Sequence, residues 1–291
     1  MKPPIFDYAA PATLAEATAL LVQHEGDAKV LSGGQSLVPL PNMRLARPAL
    51  LVDLAKLPDL DYVRADRDGL AIGAMTRQRT VELSPLVQAQ HPMLHAGMLL
   101  IAHPQNRNQG TVGGSLAHAD PAAELPALAL ALEASFRATG PQGERTITAA
   151  DFFLTYLTTA LAPTEILTAV RFPTLPGRTG WSILEIARRH GDFALAGVVA
   201  MVTLEPDGRC ASARLVLFGV GATPIRAHAA EQLLVGQAAE PALFARAGTQ
   251  AAADLEEPLS DVHATALYRR DLARVLTARA LTEATTRARA A

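Results

Sequence analysis

Two short glycine-rich segments constrain this chain more than any other feature: Ser32-Gly33-Gly34-Gln35-Ser36 and Thr111-Val112-Gly113-Gly114-Ser115. Each is flanked by apolar residues and followed by a hydroxyl residue. Glycine pairs permit φ > 0 and leave the backbone bare enough for close approach. Backbone N–H groups exposed in that way are natural donors to phosphate. A pyrophosphate has oxygens facing several directions, so two such loops read as a pair of cradles gripping one from both sides. Ser36, Thr111 and Ser115 would add hydroxyl donors. Taken singly, each segment is also an ordinary tight turn.

Bulk composition removes several alternatives. With 26 basic against 28 acidic residues the formal charge is −2, so no basic excess drives nucleic-acid binding. A hydrophobic share of 49% argues for a packed core rather than disorder. Cys210 is the only cysteine, so the chain forms no intrachain disulfide and cannot supply four thiolates to an iron–sulfur cluster. It reads as a buried strand residue. The N-terminal residues lack a long apolar run, and the most apolar stretch, 125–132, is too short to span a bilayer. The expectation is a cytoplasmic protein with no membrane span. The dinucleotide G-x-G-x-x-G, the phosphate-binding G-x-x-x-x-G-K-[ST] and the zinc motif H-E-x-x-H are all absent. His91 and His95 are four apart on a predicted helix, but no carboxylate completes a metal triad. We therefore assign no metal ligand and no catalytic acid, base or nucleophile.

Along the chain, Thr13-Leu14-Ala15-Glu16 is a capping-box opening for a helix to about His24. Short strands are predicted at 28–31 and 50–54, a hairpin around 62–72, and a helix from an N-cap at Thr76 to Leu83. A further helix covers 92–101, and an irregular stretch, 103–109, leads to the second glycine segment. The region 122–132 reads as a helix with Pro126 in its first turn. Strands follow at 135–139 and 145–148, a short helix at 151–157 and a strand at 166–172. The Pro- and Gly-rich stretch 173–180 is the best linker. Beyond it three long strands (181–187, 198–204, 213–220) precede helices at 225–234, 241–254 and 264–287. Three strands followed by helices read as a small α+β domain. On the last helix Arg269, Arg270, Arg274 and Arg279 read as a mostly solvated face.

Individual candidates keep two readings each. Glu124, in a first helical turn, either complements the helix dipole or accepts hydrogen bonds from a ligand hydroxyl. His103 is either a core histidine or a neighbour of a redox ring. Arg188 and Arg189 are surface charges or interdomain contacts. Phe193 is, on general grounds, a core residue.

Taken together, these residues resemble the flavoprotein (medium) subunit of molybdenum hydroxylases of the xanthine dehydrogenase and carbon monoxide dehydrogenase family. The resemblance rests on Asp7-Tyr8, Leu31-Ser32-Gly33-Gly34-Gln35-Ser36-Leu37, Leu51-Val52-Asp53-Leu54 and Ile72-Gly73-Ala74-Met75-Thr76. It continues through Gly110-Thr111-Val112-Gly113-Gly114, Asp120-Pro121 and Arg189-His190-Gly191-Asp192-Phe193, so it covers essentially the whole chain. It implies an α+β fold: a two-subdomain FAD-binding domain of the vanillyl-alcohol-oxidase (PCMH) type over residues 1–175, with subdomains of about 1–55 and 56–175. A C-terminal α+β domain with a three-stranded antiparallel sheet and helices would cover 178–291. By position, Lys29, Val30, Leu31, Ser32, Gly33, Gly34, Gln35, Ser36 and Leu37, with Thr111, Val112, Gly113, Gly114 and Ser115, would hold the FAD pyrophosphate. Ile101 and His103 would approach the isoalloxazine, Glu124 would lie near the cofactor, Leu167 would add a contact, and Phe193 would cover one ring face.

The implied function is electron transfer through FAD within a heterotrimer, itself dimerised. A molybdopterin-containing large subunit and a 2Fe–2S small subunit would be the partners, and an external acceptor would take the electrons. A stand-alone NAD(P)H-dependent flavin reductase of the same fold and an FAD-free scaffold subunit are the alternatives. The chain departs from the family pattern at Ser32 and Gln35, where alanine and histidine are usual. It departs again at Gln109, where arginine is common, and at Glu185, where some relatives carry lysine.

Overall fold

A computed structural model describes residues 2–291. Three sheets organise the chain. Near the N-terminus a three-stranded parallel sheet has Leu50–Asp53 at its centre, flanked by Asp7–Ala9 and Ala28–Leu31. The helix Leu14–Gln23 covers it. Thr13 accepts from the Glu16 amide and Glu16 reaches back to the Thr13 amide, which completes the capping box read from sequence. Ala17, Leu21, Leu50, Val52 and Leu54 pack beneath it as a small separate core.

The second sheet is five-stranded and antiparallel, in the order Val63–Asp66, Gly69–Gly73, Ile166–Pro173, Ser135–Gly140, Gly143–Thr148. Its hidden face and the helices Gln78–Leu83, Pro92–Leu100, Val112–His118 and Glu124–Ala131 enclose the largest core, in which Phe136 and Phe152 stack at 4.0 Å between ring centroids. The third sheet is also antiparallel: Thr179–Ile186, Ala196–Leu204 and Cys210–Phe218 are the three long strands anticipated. A two-residue strand, Ile225–Arg226, adds a fourth at the edge. The helices His228–Leu234, Pro241–Ala253 and Ala266–Ala290 cover one face of this sheet. The other face packs on the large core. Along Thr179–Ile186 the side chains alternate accordingly: Trp181 and Ile183 join the large core, whereas Leu184 and Ile186 join the helix-covered one.

Several sequence expectations are corrected. Thr76 is not an N-cap; Arg77 is, and the Thr76 hydroxyl instead bridges the amide and carbonyl of Tyr62 at 2.9 Å each. The stretch 103–109 contains a helix, Pro104–Gln109. The region 151–157 holds a one-turn helix, Ala149–Phe152, and then a small hairpin, Phe153–Thr155 with Thr158–Thr159, turned by Leu157 at φ 51°. The helix expected at 225–234 starts only at His228, because Ile225 and Arg226 are drawn into the sheet. Arg269 is not solvated: it is 3% exposed and donates to the Gly219 carbonyl at 2.7 Å and to Asp261 at 2.6 Å. Among the described residues no helix is long and apolar enough to cross a membrane.

Candidate functional site

The parallel strand Ala28–Leu31 ends at Leu31, and the chain then turns through Ser32–Ser36 at its C-terminal end. Gly34 sits at φ +72°, where a Cβ would strain the backbone. Among the described residues, the amides of Gly33, Gly34, Gln35 and Ser36 donate to no protein acceptor. Four consecutive free N–H groups on a tight turn form an anion-binding concavity. They border a cavity of about 280 Å³ lined by Gly33, Gly34, Gln35, Val38 and Pro39.

The second glycine segment is built differently from the loop expected. Thr111 is the N-cap of the helix Val112–His118, and its hydroxyl accepts from the Gly114 amide at 3.0 Å. The amides of Val112 and Gly113 donate to the carbonyls of Thr76 (3.0 Å) and Ala74 (2.9 Å). Those three N–H groups are therefore spent inside the fold, and what this segment presents is a helix N-terminus with the Ser115 hydroxyl half-buried on its first turn.

The two segments touch. The Ser32 and Thr111 hydroxyls are 2.6 Å apart, and Ser32 Oγ also lies 3.0 Å from Met75 Sδ. A Cβ on Gly33 would lie 2.4 Å from the Gln109 carbonyl oxygen and 2.8 Å from Gly110 Cα, so only glycine allows the approach. The helix Pro104–Gln109 ties the assembly together. Asn106 donates to the Gln35 side chain at 3.1 Å, and Arg77 donates to the Gln109 carbonyl. Arg107, 4% exposed, pairs with buried Glu82 at 2.7 Å and donates to the Ile101 carbonyl at 2.6 Å. Burial alone would raise the Glu82 carboxyl, but Arg107 and Arg79 outweigh it and hold Glu82 below the usual range. Sequence reading missed Asn106, Arg107 and Glu82. Their helices are polar or short, and no apolar periodicity marks them.

The remaining candidates fall as follows. Lys29 is exposed, and Val30, Leu31 and Leu37 are half-buried around the turn. Ile101 is half-buried at the end of the helix Pro92–Leu100. His103 is exposed and faces His190, with ring centroids 6.5 Å apart. Glu124, at 6% exposure, is pushed up to about 8, first by burial and then by the nearby Glu185. Leu167 is 5% exposed and belongs to the large core. Phe193 is 62% exposed, which corrects its reading as a core residue. Arg188 and Arg189 form surface ion pairs with Asp192 at 3.5 and 3.4 Å. Cys210 is buried, as expected, and burial pushes its thiol up to about 11.

Comparison with known proteins gives a consistent result. Residues 4–175 match the family of the FAD binding domain in molybdopterin dehydrogenase, and residues 181–284 match the CO dehydrogenase flavoprotein C-terminal domain. The chain is 42% identical over 289 residues to the 6-hydroxypseudooxynicotine dehydrogenase complex subunit alpha of Paenarthrobacter nicotinovorans, covering 99% of this chain and 97% of the relative. It is 39% identical to the carbon monoxide dehydrogenase medium chain of Hydrogenophaga pseudoflava, covering 98% of each. A solved structure of carbon monoxide dehydrogenase from that organism superposes with a TM-score of 0.95 at 39% identity over 99% of both chains. Quinoline 2-oxidoreductase from Pseudomonas putida 86 does so with a TM-score of 0.94 at 36% identity over 99% of both chains.

Proposed function

This chain belongs to the family of FAD-binding medium subunits of molybdenum hydroxylases, and from that premise we propose how its residues serve an electron-transfer subunit. The bare amides of Gly33, Gly34, Gln35 and Ser36 hold the FAD pyrophosphate. Thr111 and Ser115, with the N-terminus of the helix Val112–His118, close the other side. The fit rests on one observation: a turn with four unpaired amides abuts a helix N-terminus, with 2.6 Å between the Ser32 and Thr111 hydroxyls. That supplies donors and positive partial charge without a lysine or arginine. Thr111 fixes the first turn of the helix, and Asn106 holds the Gln35 side chain clear of the cavity. Ile101, His103 and Glu124 lie toward the ring end, and Phe193 stands exposed on the 188–193 segment beside them.

FAD, when bound, accepts electrons singly and releases them in pairs; the redox chemistry belongs to the cofactor and its tuning to the protein. The chain's own task is to orient and enclose it. The proposed division is an FAD-binding unit over 1–175, with subdomains of about 1–55 and 56–175, and a C-terminal unit over 178–291. With one buried cysteine the chain has no ligand set for an iron–sulfur cluster. A 2Fe–2S small subunit would deliver electrons, a molybdopterin-containing large subunit would oxidise the substrate, and an external acceptor would drain the flavin. The working unit is a heterotrimer, paired, in the cytoplasm.

The test is the absorption spectrum of the purified chain, with and without added FAD. One flavin per chain with no iron–sulfur bands is the expected result. Gly114→Asp places a carboxylate beside Ser32 at the helix N-terminus, and FAD retention should be lost with folding intact. Stoichiometric FAD in that variant, or a folded wild-type chain that takes up no FAD, would overturn the reading.

A further inference from the structure

Two carboxyl groups from different halves of the chain meet in its interior. Glu124 opens the helix Glu124–Ala131, 6% exposed, and among the described residues no other side chain hydrogen-bonds it. Glu185 lies in the strand Thr179–Ile186 on the face shared with Trp181 and Ile183, which packs against the large core rather than the last helix. Its Oε2 is shielded from solvent and has no hydrogen-bond partner. The helix Glu124–Ala131 packs against the strands Ala196–Leu204 and Cys210–Phe218, and Glu185 pairs with Gly197 on the first of these.

No free cation serves the pair. Arg107, the nearest, is committed to Glu82. Asp120 adds negative charge, and the burial of His118 favours its neutral form. Arg214, on the same face of the third sheet, is engaged by Glu133 at 2.6 Å and by the Ala131 carbonyl at 3.2 Å, at the far end of the helix. Arg188 and Arg189 are held by Asp192. Glu283, bonded to Ser182 at 2.9 Å, and Arg287, stacked on Trp181, belong to the last helix and the opposite end of the strand. Two buried carboxyls without a counter-ion do not both ionise at neutral pH. Burial raises Glu185 to about 7 and, with Glu185 beside it, Glu124 to about 8.

The location gives the pair a use. Arg107, whose charge Glu124 feels, donates to the Ile101 carbonyl. A Cβ on Gly191 would lie 2.8 Å from His103 and 2.9 Å from the Ala102 carbonyl oxygen, so the 188–193 segment closes on 101–103 just beyond Glu185. The amide nest lies at the other end of the helix Pro104–Gln109. A half-protonated pair of carboxyls presents one O–H donor and one anionic acceptor side by side. An isoalloxazine ring carries the complementary array on its pyrimidine edge, carbonyl oxygens flanking an N–H.

Resting on the flavin reading above, we propose that Glu185 is a cofactor-binding residue that shares one proton with Glu124, the pair recognising the O=C–N–H edge of the flavin. Loss of the shared proton leaves two acceptors facing carbonyl oxygens, and recognition weakens.

The experiment titrates the full chain with FAD and, in parallel, with ADP-ribose, which has the pyrophosphate and no ring, from pH 6.5 to 9. FAD affinity should fall about tenfold per pH unit above the pair's upper titration step, whereas ADP-ribose affinity stays level. Glu185→Gln retains a donor and an acceptor but cannot ionise, so the fall should disappear. Glu185→Leu should weaken FAD at least tenfold at every pH and leave ADP-ribose unchanged. A Glu185→Gln chain with the wild-type profile, or the same fall for ADP-ribose, overturns the proposal. If Glu185→Gln does not fold, Glu124→Gln reports the same quantity, and the wild-type comparison of the two ligands stands by itself. FAD bound with a flat profile removes the carboxyl pair alone; no FAD binding at any pH removes the flavin reading itself.

Discussion

Replacing Gly33 by alanine probes the contact between the two glycine segments. The new Cβ would lie 2.4 Å from the Gln109 carbonyl oxygen, where a carbon–oxygen contact needs roughly 3.3 Å. The segments must therefore part by about 0.9 Å. The obstructing atoms are backbone, and Gln109 is pinned by Arg77, so no side chain can swing aside. If the fold absorbs the strain, overpacking costs about 2 kcal/mol, a fall of roughly 4–8 °C in melting temperature. If the turn retreats instead, amides placed for phosphate at about 2.9 Å move out of hydrogen-bonding range. Each charge-assisted bond lost is then worth about 1.5–3 kcal/mol, a tenfold or greater loss of FAD affinity. Thermal melts and FAD fluorescence titrations read both routes. The control is Gly177→Ala, where a Cβ meets nothing within 4 Å and both quantities should hold. A Gly33→Ala chain with wild-type melting and wild-type FAD affinity would refute the convergence of the two segments.

Three further outcomes follow from other parts of the structure. Glu82→Gln leaves Arg107 buried without its counter-charge and should cost about 3–5 kcal/mol in chemical denaturation, whereas Glu82→Leu with Arg107→Met should recover most of it; equal stability of the single variant and wild type would contradict the buried pair. Glu124 keeps its proton in the folded state to about pH 8 but loses it near pH 4.3 when unfolded, so the folded state binds the extra proton between those values. Stability without cofactor should therefore fall by about 1.4 kcal/mol per pH unit from this group across that window. The advantage of Glu124→Gln over wild type should grow from pH 5 to pH 8, and a constant offset in urea midpoints would count against it. The Cys210 thiol, pushed up to about 11 by burial, should resist iodoacetamide at pH 8 in the native chain and react once urea unfolds it; rapid native labelling would show the site to be open.

How far the sequence discloses this structure depends on what holds each element. The capping box at Thr13 and Glu16 is local, so it reads directly. The glycines announce a turn at Ser32–Ser36 for the same reason. The second segment misleads, because Gly113 and Gly114 are poor helix formers. The helix they open is stabilised from outside, by the Ala74 and Thr76 carbonyls and by the Thr111 cap. The helix Pro104–Gln109 has no apolar stripe at all; Arg107 anchors it through Glu82, 25 residues away. Arg269 was read as solvated for its charge, whereas the carbonyl of Gly219 and the carboxylate of Asp261 take it inside. Glu124 was legible as a candidate, but its meeting with Glu185 is a tertiary fact that no spacing records. Ile225 and Arg226 leave their helix because Val216 and Leu217 offer a strand to pair with.

The central claim is that one dinucleotide is held where the turn at Gly33–Ser36 meets the helix N-terminus at Thr111. Diffraction from the full chain with FAD bound measures this directly. The account predicts pyrophosphate oxygens about 2.9 Å from the amide nitrogens of that turn, with the Ser115 hydroxyl on the opposite side. A pyrophosphate bound anywhere else, with those four amides left facing water, would contradict it.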